Sequence, residues 1–180
     1  MKELIVGAGY ARNRRLRFEG DGGKDFVNPI FLDINPACNP DVVWDLNKLP
    51  LPFPDNEFDE IHAYSILEHI GTQGDYVSFL KLFEEFWRIT KPNGMFFGIV
   101  PKWDSFWALG DPGHTRIINE GTLVFLNQDE YVRQCALGTE TSMSDYRHVY
   151  KGNFKKVAAF NHDEQHMFGF VLVAVKPRTP

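Results

Sequence analysis

The sequence predicts an α/β fold built on one mostly parallel sheet. Three observations predict it. A short apolar run closing at Val6 ends in Gly7-Ala8-Gly9, the pattern of a buried strand that leaves through a tight turn. A second run, Pro29–Asn35, reads as a strand with the acidic Asp33 at its end. An amphipathic helix from Tyr76 to Trp87 is followed by the continuously apolar Met95–Val100, as a strand covered on both faces should read.

Composition bounds the rest. The chain has 180 residues, 43% of them hydrophobic and 24% charged, which fits one domain over 1–180 with a substantial core. A net charge of −5 argues against a chain whose main task is gripping nucleic acid, while leaving room for a local basic patch. Cys38 and Cys135 stand far apart and form no C-x-x-C pair, so neither a zinc motif nor a disulfide framework is expected. The expected compartment is a reducing cytoplasm. No apolar stretch is long enough to span a membrane, and the N-terminus runs straight into a strand without a signal peptide.

In chain order, the glycine turn comes first. Glycine lets backbone approach a ligand or adopt φ > 0, and in open α/β sheets ligands lie just outside the carboxyl ends of the strands. The dinucleotide fingerprint G-x-G-x-x-G is broken by Arg12 at its last position, which disfavours a nicotinamide-dependent oxidoreductase, and the phosphate loop is absent. Arg12, Arg14, Arg15 and Arg17 crowd six residues. They read as an anion site or, preferentially, as a solvated helical turn. Gly20–Lys24 is a loop. Asp33 suits ribose hydroxyls, because a carboxylate offers two acceptor oxygens to two adjacent donors.

Asp41–Leu46 reads as a third short strand, with Asp45 ending it as Asp33 ends the second. The prolines at 50, 52 and 54 exclude helix and central strand from the connection that follows. Phe58–Tyr64 is the fourth strand and Ser65–Ile70 a short helical turn. Thr72-Gln73-Gly74-Asp75 resembles a capping box opening the helix whose stripe is Tyr76, Phe79, Leu80, Phe83, Phe86 and Trp87. Lys91-Pro92-Asn93-Gly94 ends that helix. Pro101–Asn119 is a long loop, of the kind that often carries function. Residues 120–125 and 129–136 look helical, 137–151 are polar and undefined, and Phe154–Phe160 with Met167–Val175 form an antiparallel hairpin across Asn161–Gln165.

Taken together, Leu51-Pro52-Phe53-Pro54-Asp55-Asn56-Glu57-Phe58-Asp59, Leu67-Glu68-His69-Ile70, Arg88-Ile89-Thr90-Lys91-Pro92-Asn93-Gly94 and the Gly110–Arg116 stretch resemble class I S-adenosylmethionine-dependent methyltransferases, in particular a group of small bacterial and phage members. The resemblance implies a Rossmann-like seven-stranded sheet of order 3-2-1-4-5-7-6 with strand 7 antiparallel, flanked by helices. It implies S-adenosyl-L-methionine as cofactor. Gly7 and Gly9 would then lie under its methionine part, Asp33 at the ribose, Asp45 and Leu46 at the adenine, and Tyr64 and Ser65 beside the sulfonium, with Ala8 and Ile34 also among the cofactor-binding residues. Three departures stand out: Ala11 replaces a third glycine, Ile5 replaces an acidic residue in the first strand, and the helix that usually precedes that strand is missing. Ala11 is small enough to be tolerated, and the other two departures support a second reading beside the methyltransferase, a non-catalytic binding or scaffold protein on the same fold.

Methyl transfer needs a base only when the acceptor holds a proton that must leave. His114 is the candidate, since imidazole titrates in the right range, with Asp111 to orient it. The expected acceptor is a small molecule or a glycan-type group, with nucleic acid reachable only through the arginine run. Trp103 and Trp107 offer an acceptor platform or simple cover for the loop. His62 and His69 read as structural. No metal site is expected, because no His/Asp/Glu cluster has ligand spacing along the sequence.

Overall fold

A computed structural model describes residues 1–16, 25–140 and 143–177. Arg17 and the predicted Gly20–Lys24 loop lie outside the described residues. The strands are β1 (Glu3–Val6), β2 (Pro29–Asp33), β3 (Val42–Val43), β4 (Phe58–Tyr64), β5 (Thr90–Pro101), β6 (Phe154–His162) and β7 (Met167–Ala174). They form one sheet of order β3-β2-β1-β4-β5-β7-β6. β1 pairs in parallel with β2 and β4, and β7 runs antiparallel to both β5 and β6. This is the predicted topology. The strand order reverses beside β1, between β2 on one flank and β4 on the other, so the crevice outside the carboxyl ends of β1 and β4 is the switch point at which such sheets bind ligands.

The helices are α1 (Tyr76–Ile89), α2 (Phe106–Gly110), α3 (Glu120–Val124) and α4 (Gln128–Cys135). α1 turns Phe79, Leu80, Phe83, Phe86 and Ile89 into a core shared with Leu4, Val6, Ile61 and Phe96. Phe83 sits at its centre, 5.4 Å from the Phe96 ring and 5.7 Å from Phe86. Each such side chain contributes about 1.5–3 kcal/mol on full burial, which is why this helix and not the loops fixes the sheet.

The other face of the sheet is partly polar. Glu3, Glu60, His62 and Tyr64 stand on it. Arg14 folds over them from the segment after β1 and pairs with Glu3 and with Glu60, the latter at 3.0 Å. The second Glu3 oxygen accepts the Val27 and Asn28 amides. His62 Nε2–H donates to Glu60 at 3.0 Å, and the Tyr64 hydroxyl donates to His62 Nδ1 at 2.7 Å while accepting the Leu16 amide. Phe26 and Phe97 close on the His62 ring.

Several local expectations are corrected. The arginine run forms no helical turn over residues 10–16. Of its described arginines, Arg12 and Arg15 are exposed, with Arg12 stacked on Phe31 and donating to the Cys38 and Asn39 carbonyls, whereas Arg14 leaves the solvated face and is only 5% exposed. β2 stops at Asp33, and β3 is just two residues long, because after Val43 the chain turns out through Asp45. The N-cap of α1 is Asp75, which accepts the Ser78 amide at 3.1 Å, in place of a Thr72 capping box. Trp87 is only half-buried and holds the Val175 carbonyl, and Tyr76 is exposed, so Leu82 and Ile89 complete the stripe instead. The long loop contains α2, and β6 runs two residues further than expected, to His162.

Candidate active site

The carboxyl tips of β1 and β2 are tied together by one carboxylate. Asp33 Oδ2 accepts the Gly9 amide at 2.7 Å, and Oδ1 accepts the Asn35 amide at 2.8 Å. Each oxygen keeps a second lone pair. Gly7 and Gly9 both have positive φ, 62° and 53°, but their surroundings differ. A Cβ on Gly7 would meet Ile66 side-chain atoms at 2.3 to 2.7 Å, whereas a Cβ on Gly9 would meet no described residue within 4 Å. Gly7 is therefore a packing glycine, and Gly9 is the open one. Ala8, between them, is buried and donates its amide to the Leu32 carbonyl. Ile34, next to Asp33, is 61% exposed.

Asp45 leaves β3 beside this crevice. Its Oδ1 accepts the backbone and side-chain N–H groups of Asn47, and the backbone bond in particular holds its carboxyl below the usual range. The Leu46 side chain belongs to the core. Tyr64 ends β4 with its ring in the polar face described above, where burial pushes its hydroxyl up to about 12. Ser65 follows with φ 55°, a left-handed backbone unusual for a residue with a Cβ. Its amide bonds the Ile99 carbonyl at 2.7 Å. That twist is what delivers Ile66 onto Gly7.

Beyond β4 the chain forms a 3-10 turn at Leu67–His69. The loop after β5 is zipped to it. The amides of Thr115 and Arg116 donate to the Glu68 carbonyl at 2.9 and 3.1 Å, and the Gln73 amide donates to Thr115. The buried Arg116 guanidinium donates to the carbonyls of Ile70, Thr72 and Asp75 and lies over the Phe79 ring. The zipper brings Glu68, His69 and His114 together with one donor atom from each within 4.8 Å of the others.

The two imidazoles have defined tautomers. His114 Nδ1 lies 2.7 Å from the Trp107 carbonyl, and His69 Nδ1 lies 3.0 Å from the Gly113 carbonyl. A carbonyl only accepts, so each Nδ1 carries the proton and each neutral ring presents its Nε2 lone pair. Asp111 Oδ2 stands 3.8 Å from His114 Nε2. Glu68 is 3% exposed, and neither of its carboxylate oxygens has a hydrogen-bond partner among the other described residues. Burial pushes its carboxyl up to about 7, with its own amide and His114 pulling the other way. Trp103 and Trp107 are exposed rather than core cover.

The spacing of the sequence does not foretell this cluster, since 45 residues separate His69 from His114. The signal that could have found it is the pair of stretches Leu67–Ile70 and Gly110–Arg116, which already stood out together. A cleft of about 590 Å³ adjoins Ser65 and Ile99, bounded by Asn13, Arg15 and the β6–β7 hairpin, a volume in the range of small-ligand sites.

Residues 34–98 match a family model described as a methyltransferase domain. The strand order described above is that of the class I methyltransferase fold. Solved structures agree with that fold. An S-adenosylmethionine-dependent methyltransferase from Archaeoglobus fulgidus superposes with a TM-score of 0.58 at 15% identity, covering 96% of this chain and 85% of that one. A Haloferax volcanii protein solved in complex with the Trm112 methyltransferase activator gives 0.60 at 13% identity, covering 99% and 84%. The N-methyltransferase NodS from Bradyrhizobium japonicum gives 0.56 at 9% identity, covering 97% and 86%. A comparison with curated proteins gives no match. Among the described residues, no helix is long and apolar enough to cross a membrane.

Proposed function

We propose that this methyltransferase-fold protein transfers the methyl group of S-adenosylmethionine to a small-molecule or glycan-type acceptor. The observation that carries the reading is the Asp33–Gly9 pair at the switch point: a carboxylate with lone pairs to spare beside a backbone that no described residue obstructs. That cradle fits a nucleoside, so the residues pass the test the cofactor sets. Asp33 accepts the ribose hydroxyls. Gly9, with Gly7 and Ala8 behind it, passes under the amino-acid end. Ile34 supplies an apolar face to the base, and Asp45 and Leu46 border it from the tip of β3. Tyr64 and Ser65 contribute backbone where β4 ends.

When bound, S-adenosylmethionine supplies a methyl group on an already activated sulfonium, so the chain's own work is to orient the acceptor. The His114 Nε2 lone pair is placed to take the proton of an acceptor that carries one, with Asp111 stabilising the imidazolium that results. The exposed faces of Trp103 and Trp107 offer aromatic surface to a ring or sugar.

The test is transfer of radiolabelled methyl from S-adenosylmethionine to a panel of phenols, amines and sugars. Turnover that falls at least about 100-fold in His114→Gln supports the reading. Absence of transfer to every acceptor class, with cofactor binding intact, favours a non-catalytic binding protein.

A further inference from the structure

Among the described residues, two clusters of acidic and histidine side chains are drawn together in the fold, and they differ in one decisive respect. In the first, Glu3, Glu60 and His62 surround the Arg14 guanidinium, which supplies the positive charge that the carboxylates need. In the second, Glu68, His69 and His114 converge with no cation among them. Glu68 is buried with both oxygens unpartnered, a costly arrangement for a carboxylate in the absence of a partner.

We propose that Glu68, His69 and His114 bind one divalent first-row transition-metal ion. Both histidines donate Nδ1–H to a backbone carbonyl and leave Nε2 as the free donor. This is the outer-shell bonding that orients metal-ligating imidazoles. Two imidazoles and one carboxylate suit zinc, cobalt, iron or manganese better than magnesium or calcium, which prefer oxygen. Ligand atoms around such an ion, with bonds of about 2.1 Å, stand about 3.0–3.4 Å apart. One potential ligand atom of each residue, a carboxylate oxygen or a ring nitrogen, already lies within 4.8 Å of the others, so the three side chains need only adjust to close on an ion. Asp111 stands beside His114 Nε2 as a further oxygen.

Gly113 belongs to the same construction. A Cβ there would press on Asp111 Oδ1 and on His69 Nδ1, both at 3.2 Å, so glycine keeps the carbonyl that holds His69 in place. Three protein ligands leave coordination positions for water or for an acceptor oxygen. With the ion bound, it meets that oxygen in place of the His114 lone pair. The site itself is read from its residues, and only this role for the ion rests on the methyltransferase reading.

The test uses the full chain stripped of metal with a chelator and titrated with Co²⁺, followed by its visible absorption. One equivalent should bind with a Kd tighter than about 10 µM, and pulsed EPR of the Mn²⁺ form should show nitrogen coupling from imidazole. Glu68→Gln and His114→Gln should each weaken binding at least about 100-fold, and His148→Gln, at an exposed histidine elsewhere, should leave it unchanged. Absence of saturable Co²⁺ and Zn²⁺ binding in the wild-type chain overturns the proposal, as does Mn²⁺ bound without nitrogen coupling or equal affinity in the Glu68 and His114 variants. S-adenosylmethionine binding is measured on the same samples: cofactor binding without Co²⁺ binding defeats the metal site alone, and Co²⁺ binding without cofactor binding defeats the methyltransferase reading alone.

Discussion

The Thr115 amide donates to the Glu68 carbonyl at 2.9 Å, and this bond between loops 47 residues apart registers the β5 loop against the β4 tip. Arg116 locks the register by donating to three carbonyls around the start of α1. Arg116→Met keeps much of the apolar stem but strands buried acceptors. It should lose about 3 kcal/mol of unfolding free energy in urea. A loss below about 0.5 kcal/mol would show that the loop is held by other contacts.

The polar face makes an equally specific prediction. Glu3→Gln leaves Arg14 buried beside a single carboxylate, and should cost about 3–5 kcal/mol. Replacing the pair together, Glu3→Leu with Arg14→Leu, should recover much of that loss, because the uncompensated charge leaves with its partner. Denaturation of the single and double variants checks the sign of the coupling directly.

His62 sets a pH dependence. Burial lowers its pKa below the ordinary 6.5, against the pull of Glu60, and its Nδ1 accepts from Tyr64 only when neutral. A depressed folded-state pKa contributes stability that is fully present above 6.5 and is lost as pH falls through the folded value. The wild-type chain should therefore lose stability relative to His62→Gln as pH falls from about 6.5 to 5, by up to about 1.4 kcal/mol per pH unit. Parallel pH profiles for the two would show that His62 does not titrate differently on folding.

The two glycines of the first turn should separate stability from binding. Gly7→Ala drives a Cβ into Ile66 and should destabilise by more than about 2 kcal/mol. Gly9→Ala meets open space and should cost only the positive-φ penalty of about 1–2 kcal/mol, yet it should weaken S-adenosylmethionine binding, since its open face is where the cofactor approaches. Thermal melts and calorimetry on the two variants give the comparison.

Much of this was legible in the sequence because local pattern and global fold agree. Phe58–Tyr64 reads as a strand and is one, residue for residue, and the Phe79–Phe86 stripe reads as core because one helix face meets one sheet face. The acidic tip at Asp33 is visible because strands end where apolar runs end. Arg14 was misread because the composition of a run says nothing about partners at Glu3 and Glu60, which only sheet pairing brings beneath it. Gly7 and Gly9 look alike in sequence, and only the left-handed Ser65 that swings Ile66 inward tells them apart. The Glu68–His69–His114 cluster has no sequence spacing to betray it, because it is assembled by hydrogen bonds between two loops.

The most direct measurement is calorimetric titration of the wild-type chain and Asp33→Ala with S-adenosylmethionine and S-adenosylhomocysteine, with thermal melts confirming that both are folded. The wild type should show one site of about micromolar Kd, lost or weakened at least about 30-fold in the folded variant. Equal binding by the two chains, or no binding by the wild type, would contradict a cofactor site at Asp33.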